Sequence, residues 1–208
     1  MTHKWGINTG YTNSELNNNI KIDSHGGFVG IFNGFKYDNI TLNTNISTGA
    51  HDNTTDCVFG SDNFTNFWIN GAANLSYNLM LDNTFSLYPA INAQYTWITA
   101  EDYTSISGDT LDTQNHRIFI LSPEIKAIKH INDGWYGTAN IAYIMMHATN
   151  NNTTINNTST INLNDTKHFE YSIGISKQFY NTNIDITIGR QDGDIYGWFG
   201  NINIKYIF

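Results

Sequence analysis

The stretch Tyr196-Gly-Trp-Phe-Gly-Asn-Ile-Asn-Ile-Lys-Tyr-Ile-Phe208 decides the fold. With period two, Trp198, Ile202, Ile204, Tyr206 and Phe208 share one face, and Asn201, Asn203 and Lys205 share the other. One face suits lipid and the other suits water. A soluble sandwich also alternates, but it seldom places large apolar side chains on its last residues, where backbones fray. The terminal run therefore reads as a membrane strand.

Working back from it, nine further period-two runs can be marked, near 3–13, 22–37, 39–51, 64–81, 84–101, 115–130, 134–148, 167–180 and 182–190. Each has roughly the length that a tilted membrane strand needs, about 9 to 11 residues. Phe67, Ile69, Ala73, Leu75, Tyr77 and Leu79 oppose Asn70, Asn74, Ser76 and Asn78. Phe169, Tyr171, Ile173, Ile175 and Phe179 oppose His168, Glu170, Ser172, Ser176 and Gln178, and Ile184, Ile186 and Ile188 oppose Asp185 and Thr187. The second run is ambiguous, because Gly26, Gly30 and Gly34 stand among apolar residues on both faces. Pro123 interrupts the sixth and predicts a bulge.

The connections alternate in length. Residues 14–21, 52–63, 102–114 and 149–166 are long, whereas Asp38, Asp82-Asn83, Ile131–Asp133 and Asn181 are short; Gln191–Asp194 falls in a long position and is short. Short turns on one rim and longer polar loops on the other are the plan of an up-and-down transmembrane β-barrel. The Asn/Thr-rich stretch 150–161 reads as the longest, mobile loop. Trp5, Tyr11, Tyr37, Trp68, Trp97, Tyr103, Trp135, Tyr180, Trp198 and Phe208 cluster at strand ends, as interfacial girdles do, although strands favour aromatics in any case.

Composition narrows the classes. The 208 residues suit one domain, 1–208, and only 13% of them are charged, so Asn and Thr must hydrate much of the surface. Mean hydropathy of −0.36 does not argue against a barrel, which needs only alternate residues apolar. No apolar run reaches the roughly 20 residues of a spanning helix; Ile141–Met146 is the best. A net charge of −8 argues against a nucleic-acid partner, which needs a basic stripe. Cys57 is the single cysteine and the seven His are dispersed without metal-ligand spacing, so no disulfide, metal or other cofactor is expected. The start Met1-Thr-His-Lys-Trp-Gly enters a strand pattern with no signal-peptide core, which predicts a chain incomplete on its N-terminal side.

Several motifs, in order, resemble the C-terminal β-domain of the autotransporters of type V secretion. Trp5-Gly-Ile-Asn-Thr-Gly-Tyr-Thr-Asn-Ser14 resembles the family's third strand, and His25-Gly-Gly-Phe-Val-Gly-Ile-Phe-Asn-Gly34 its Gly-rich fourth. Leu87-Tyr-Pro-Ala-Ile-Asn-Ala-Gln-Tyr95 resembles the strand in which a Pro introduces an apolar run, and Gly197–Phe208 the closing strand. The family barrel has twelve strands preceded by a helix that threads the pore. The resemblance implies strands three to twelve here, with the helix, two strands and the passenger outside this chain. It further implies an outer-membrane translocator in a Gram-negative bacterium that anchors and exports a passenger, with outer-membrane lipid, the barrel-assembly machinery and its own passenger as partners. Ile202, Ile204, Tyr206 and Phe208 would form the assembly signal.

Glu124, Lys126, Glu170, Asp185 and Lys205 are expected to face the lumen, where water tolerates charge. No enzyme is expected. The alternative is a self-contained ten-stranded outer-membrane barrel acting as adhesin, pore or omptin-like protease, for which Asp23-Ser-His25 and Asp192-Gly-Asp194 are the candidate catalytic groups. Asp-Gly is also a strong hairpin signal, and a soluble β-protein stays open as a third reading.

Overall fold

The computed structural model describes residues 1–17, 21–57, 60–99, 103–104, 108, 110–113, 115–149, 152–156, 159–162 and 164–206. In chain order the strands are β1 (Thr2–Asn17), β2 (Lys21–Tyr37), β3 (Ile40–Cys57), β4 (Gly60–Tyr77) and β5 (Leu79–Met80). There follow β6 (Phe85–Ile98), β7 (Tyr103–Thr104), β8 (Thr110–Thr113), β9 (His116–Asn132) and β10 (Trp135–Thr149). The last are β11 (Asn152–Ile155), β12 (Ser159–Asn162), β13 (Thr166–Phe179), β14 (Thr182–Gly193) and β15 (Gly197–Tyr206).

All pairing is antiparallel between sequence neighbours, in an 11-stranded sheet of order β1-β2-β3-β4-β6-β9-β10-β13-β14-β15 with β5 beside β6. The sheet curls into part of a barrel. Among the described residues β1 pairs with β2 alone and β15 with β14 alone, so the two end strands do not meet in a ladder.

The alternation read from sequence sets the two faces. On β14 and β15, Ile186 is opposite Ile202 and Ile184 opposite Ile204, while Asp185 is opposite Asn203 on the other side. Side chains on the apolar side are mostly exposed and those on the polar side more shielded, as expected when the polar side is concave. Gly26, Gly30 and Gly34 are concave, which resolves the ambiguous second run. Phe28 and Phe32 share that face and lie over glycines of β1, with Phe32 Cζ 2.5 Å from where a Gly6 Cβ would stand and Phe28 Cε1 2.5 Å from that of Gly10.

Two details correct the expectations. The loops predicted at 14–21 and 52–63 are largely strand: β1 pairs with β2 out to Asn17 and Lys21, and β3 with β4 out to Cys57 and Gly60. Polar residues extend a ladder beyond the apolar band because the backbone supplies the bonds, so a fall in hydrophobicity marks the edge of the band and not the end of the strand. Similarly, 102–114 and 149–166 hold β7, β8, β11 and β12, which form a separate four-stranded sheet in the order β12-β11-β8-β7. Pro123 makes no bulge. Glu124 pairs with Ala142 and Leu121 with Met145 in unbroken register, and the β9–β10 irregularity falls at Trp135/Tyr136. A missing N–H removes a rung without inserting a residue.

The short rim consists of tight turns. Asp133 and Gly134 take φ of 44° and 77°, the left-handed pair of a two-residue hairpin. Asp38 and Tyr180 also have positive φ, of 52° and 45°.

Candidate membrane and lumenal surfaces

The surface area shows that this sheet has little conventional core. A compact soluble protein of 23.5 kDa should expose about 9,800 Å², whereas this one exposes 13815 Å². Among the described residues the buried hydrophobic ones are Ala142 and Ala148, while Ile202 and Ile204 are 71% and 67% exposed. So much uncovered apolar surface on one face requires an apolar surrounding.

The height of the apolar face fits a bilayer. On β13 the convex face runs Lys167, Phe169, Tyr171, Ile173, Ile175, Lys177, and on β9 Arg117 and Lys129 bracket Phe119, Leu121, Pro123, Ile125 and Ala127. From Lys167 to Lys177 is about 33 Å along the strand, or about 25 Å at a tilt near 40°, the height of an outer-membrane apolar band. Cations and rings meet at its margins. The Lys177 ammonium lies 5.0 Å from the Trp135 ring centre and 5.4 Å from that of Phe179, and the Arg190 guanidinium lies 5.6 Å from that of Trp198. Trp5, Tyr11, Tyr37, Trp97, Trp135 and Trp198 join this belt. Trp68 does not, since it is opposite Gly49 on the concave side, with Phe28 and His51 as ring neighbours at 6.1 and 6.3 Å. The Tyr103 side chain and Phe208 lie outside the described residues.

The concave face is lined by amides. Asn43 Nδ2 donates to Asn74 Oδ1 at 3.5 Å, Asn74 Nδ2 to Asn92 Oδ1 at 2.5 Å, and Asn92 Nδ2 to the Ser122 carbonyl at 3.4 Å. This ladder crosses three strands and reaches a fourth, and it pairs polar groups without bringing charge. Of the residues expected in the lumen, Glu124 is opposite Ala90 and Ala142, and Lys126 opposite Tyr88 and Asn140, all on this face. Glu170 accepts from Gln191 Nε2 at 3.1 Å; Asp185 accepts from the Ser176 hydroxyl and, at 2.8 Å, from Asn183 Nδ2. Lys205 pairs with Asn183 through its backbone, and its side chain lies outside the described residues. Of the expected assembly residues, Ile202 and Ile204 are convex, Tyr206 is placed by backbone pairing with Thr182, and Phe208 is not described.

The protease candidates are not assembled into one site. Asp23 and His25 have the parity of Val29 and Ile31 on convex β2, and Asp192 is committed to a convex cluster on β14. There Asp192 accepts from Arg190 Nε at 3.0 Å and Nη2 at 2.8 Å, and from the Tyr171 hydroxyl at 2.5 Å. The Asp194 carboxylate accepts from the Lys167 amide at 2.8 Å. Among the described residues no three His, Cys, Asp or Glu side chains are placed to hold a metal ion.

At the long-loop rim Asp165 accepts from the Ala148 amide at 3.1 Å and pairs with His147 Nδ1 at 2.8 Å. The His147 bond, then the amide, hold its carboxyl below the usual carboxylate value. At the opposite rim the Thr84 hydroxyl and amide do the same for Asp82.

A curled antiparallel sheet, apolar and girdled outside and polar inside, with short turns on one rim, defines the class of outer-membrane-type β-barrels. The autotransporter β-domain model matches residues 2–200, and the chain belongs to that family. Among solved structures it is similar to the β-domain of the Bordetella autotransporter BrkA, with 13% identity, a TM-score of 0.81, and coverage of 99% of this chain and 84% of that one. It is also similar to the transport unit of AIDA-I from Escherichia coli, at 16% identity and a TM-score of 0.84, covering 99% of this chain and 76% of the other. The translocator domain of NalP from Neisseria meningitidis matches at 13% identity and a TM-score of 0.78, again over 99% and 76%. No curated protein sequence matches the chain significantly.

Proposed function

We propose that this chain is the translocator of an autotransporter: an outer-membrane β-barrel that anchors and exports a passenger carried in the same precursor. The observation that carries the reading is the family match over residues 2–200, joined to an apolar convex face as tall as an outer-membrane bilayer. The host is a Gram-negative bacterium. Residues 1–208 form one barrel domain of that precursor.

Glu124, Lys126, Glu170, Asp185 and Lys205 keep the lumen wet for the passing linker. The amide ladder suits the same task, because neutral paired amides offer a moving chain no strong charge to hold it. Ile202, Ile204, Tyr206 and Phe208 form the signal that engages the barrel-assembly machinery through the edge of the last strand. No step in this function calls for bond-making chemistry or a cofactor.

The test is genetic and topological. The DNA upstream of Met1 should encode, in frame, a passenger and a signal peptide, and the passenger should be protease-accessible on intact cells. Deleting Phe208 should impair outer-membrane insertion of that precursor. A promoter and short signal peptide directly before Met1 would sink the reading, and normal insertion without Phe208 would remove its signalling role.

A further inference from the structure

Two lysines stand together on the concave face beside the Asp38 turn. Lys4 on β1 is opposite Gly34, and Lys36 on β2 is opposite Thr2 on one side and Thr41 on the other, so the two are diagonal neighbours on adjacent strands. Side chains so placed are rooted about 7–8 Å apart. Both lysines are exposed, and Thr2, Lys4, Phe32, Gly34, Lys36 and Asn43, all of concave parity, line a recess of about 490 Å³. Gly34 keeps the floor open between them: the nearest atom to where its Cβ would stand is Asn43 Oδ1, at 3.0 Å. Phe32, 41% exposed, forms one wall.

This pair has no counter-charge on its own face. Along β1, β2 and β3 the described residues of concave parity include no Asp or Glu, because the acidic positions Glu15, Asp23, Asp52 and Asp56 have convex parity. Among the described residues neither ammonium has a hydrogen-bond or ion-pair partner, and Asp38 in the adjoining turn makes no ion pair with Lys36. Other cations toward this rim are engaged. Lys129 donates to the Thr84 hydroxyl at 2.9 Å, and Lys177 donates to the Asp133 carbonyl and lies against two aromatic rings. Lys126, also concave, has Glu124 two residues away on the same face of β9.

We propose that the recess binds an extended acidic segment of the exported chain, with carboxylates at alternate residues, as that chain enters the lumen. The proposal rests on the translocator reading above, in which the short turns face the compartment the passenger leaves. Side chains at i and i+2 of an extended chain lie on one side about 7 Å apart, close to the spacing of the two lysines, whereas those at i and i+1 point to opposite sides. Two like charges without a counter-ion repel each other, and a pair of carboxylates removes that repulsion. Each ion pair stays in contact with water, so the hold is weak and reversible, as passage requires.

The test titrates the whole 208-residue chain, refolded in dodecyl maltoside, against three end-capped fluorescent peptides, Gly-Ser-Glu-Ser-Glu-Ser-Gly, Gly-Ser-Ser-Glu-Glu-Ser-Gly and Gly-Ser-Gln-Ser-Gln-Ser-Gly, with binding read by anisotropy at low salt. Wild type should bind the alternating glutamate peptide most tightly. The K4Q/K36Q variant should lose about fivefold or more of that affinity, and K129Q/K177Q, which removes the same net charge, should keep it. Equal binding of the glutamine or the adjacent-glutamate peptide, equal binding by K4Q/K36Q, an equal loss in K129Q/K177Q, or full displacement by an equal concentration of inorganic phosphate would each overturn the proposal. Heat-modifiable migration reports folding of each variant. Should the double variant not fold, K4Q and K36Q, whose side chains have no partners to lose, are compared singly and must each weaken binding. A wild type that never inserts in vesicles counts against the barrel reading, whereas one that inserts but binds all three peptides alike counts against this recess alone.

Discussion

Placing a charge in the middle of the convex face tests the central physical claim. Ile186 lies midway between Thr182 and Arg190 on β14, opposite Ile175 and Ile202, and is 51% exposed. In water an exposed Ile→Arg change at a strand surface costs little, within about 0.5 kcal/mol. In a bilayer the same change at mid-depth costs about 2–4 kcal/mol, a factor of about 30 to 1,000 in the folding equilibrium. Asn201 is the internal control: it is exposed on the concave face of β15, opposite Thr187, and Asn201→Arg should stay within about 0.5 kcal/mol. The assay is reversible urea unfolding in dilauroylphosphatidylcholine vesicles, followed by fluorescence of the five Trp. The midpoint should fall for Ile186→Arg with the slope unchanged. The reasoning is refuted if Ile186→Arg is tolerated as well as Asn201→Arg, or if the concave change proves the costlier.

Three further outcomes follow from local geometry. Gly26→Ala should destabilise by about 1–3 kcal/mol in the same assay, because its Cβ would run into the Ala50 carbonyl, which belongs to the neighbouring ladder and cannot turn aside. In the turns, Gly134→Ala should cost at least about 1 kcal/mol, with φ at 77° and the Gln178 carbonyl 2.8 Å from the new Cβ, whereas Tyr180→Asn should be neutral or gain up to about 1 kcal/mol by easing a φ of 45°; chemical unfolding of both separates the two signs. Asp82 has its folded pKa lowered, chiefly by the Thr84 hydroxyl, so its contribution is present above the unfolded carboxylate pKa and is lost as pH falls through the folded value. The stability gap between wild type and Asp82→Ala should therefore be steady near neutrality and close in acid below about pH 4, which unfolding at stepped pH measures.

Much of this was legible without coordinates, for reasons that can be named. Strand parity follows from the pleat, so Ile184, Ile186 and Ile188 had to share a side whatever their partners. Strand order was also legible, because short turns such as Asp133-Gly134 can join only antiparallel neighbours. The strand ends at the long-loop rim were not, since hydrophobicity falls where the bilayer ends while the hydrogen-bond ladder of Thr55–Cys57 with Gly60–Asp62 continues.

The chain alone thus determined two faces, their period and the sequence-neighbour topology, because each depends on residues a few positions apart. Tertiary structure decided what depends on register between distant strands. It set Phe28 and Phe32 over Gly10 and Gly6, aligned Asn43, Asn74 and Asn92 into one ladder, and took Trp68 inside while Trp97 stayed out. It also put Arg190 between Tyr171 and Trp198. These positions are separated by tens of residues, and only the register between paired strands brings them together.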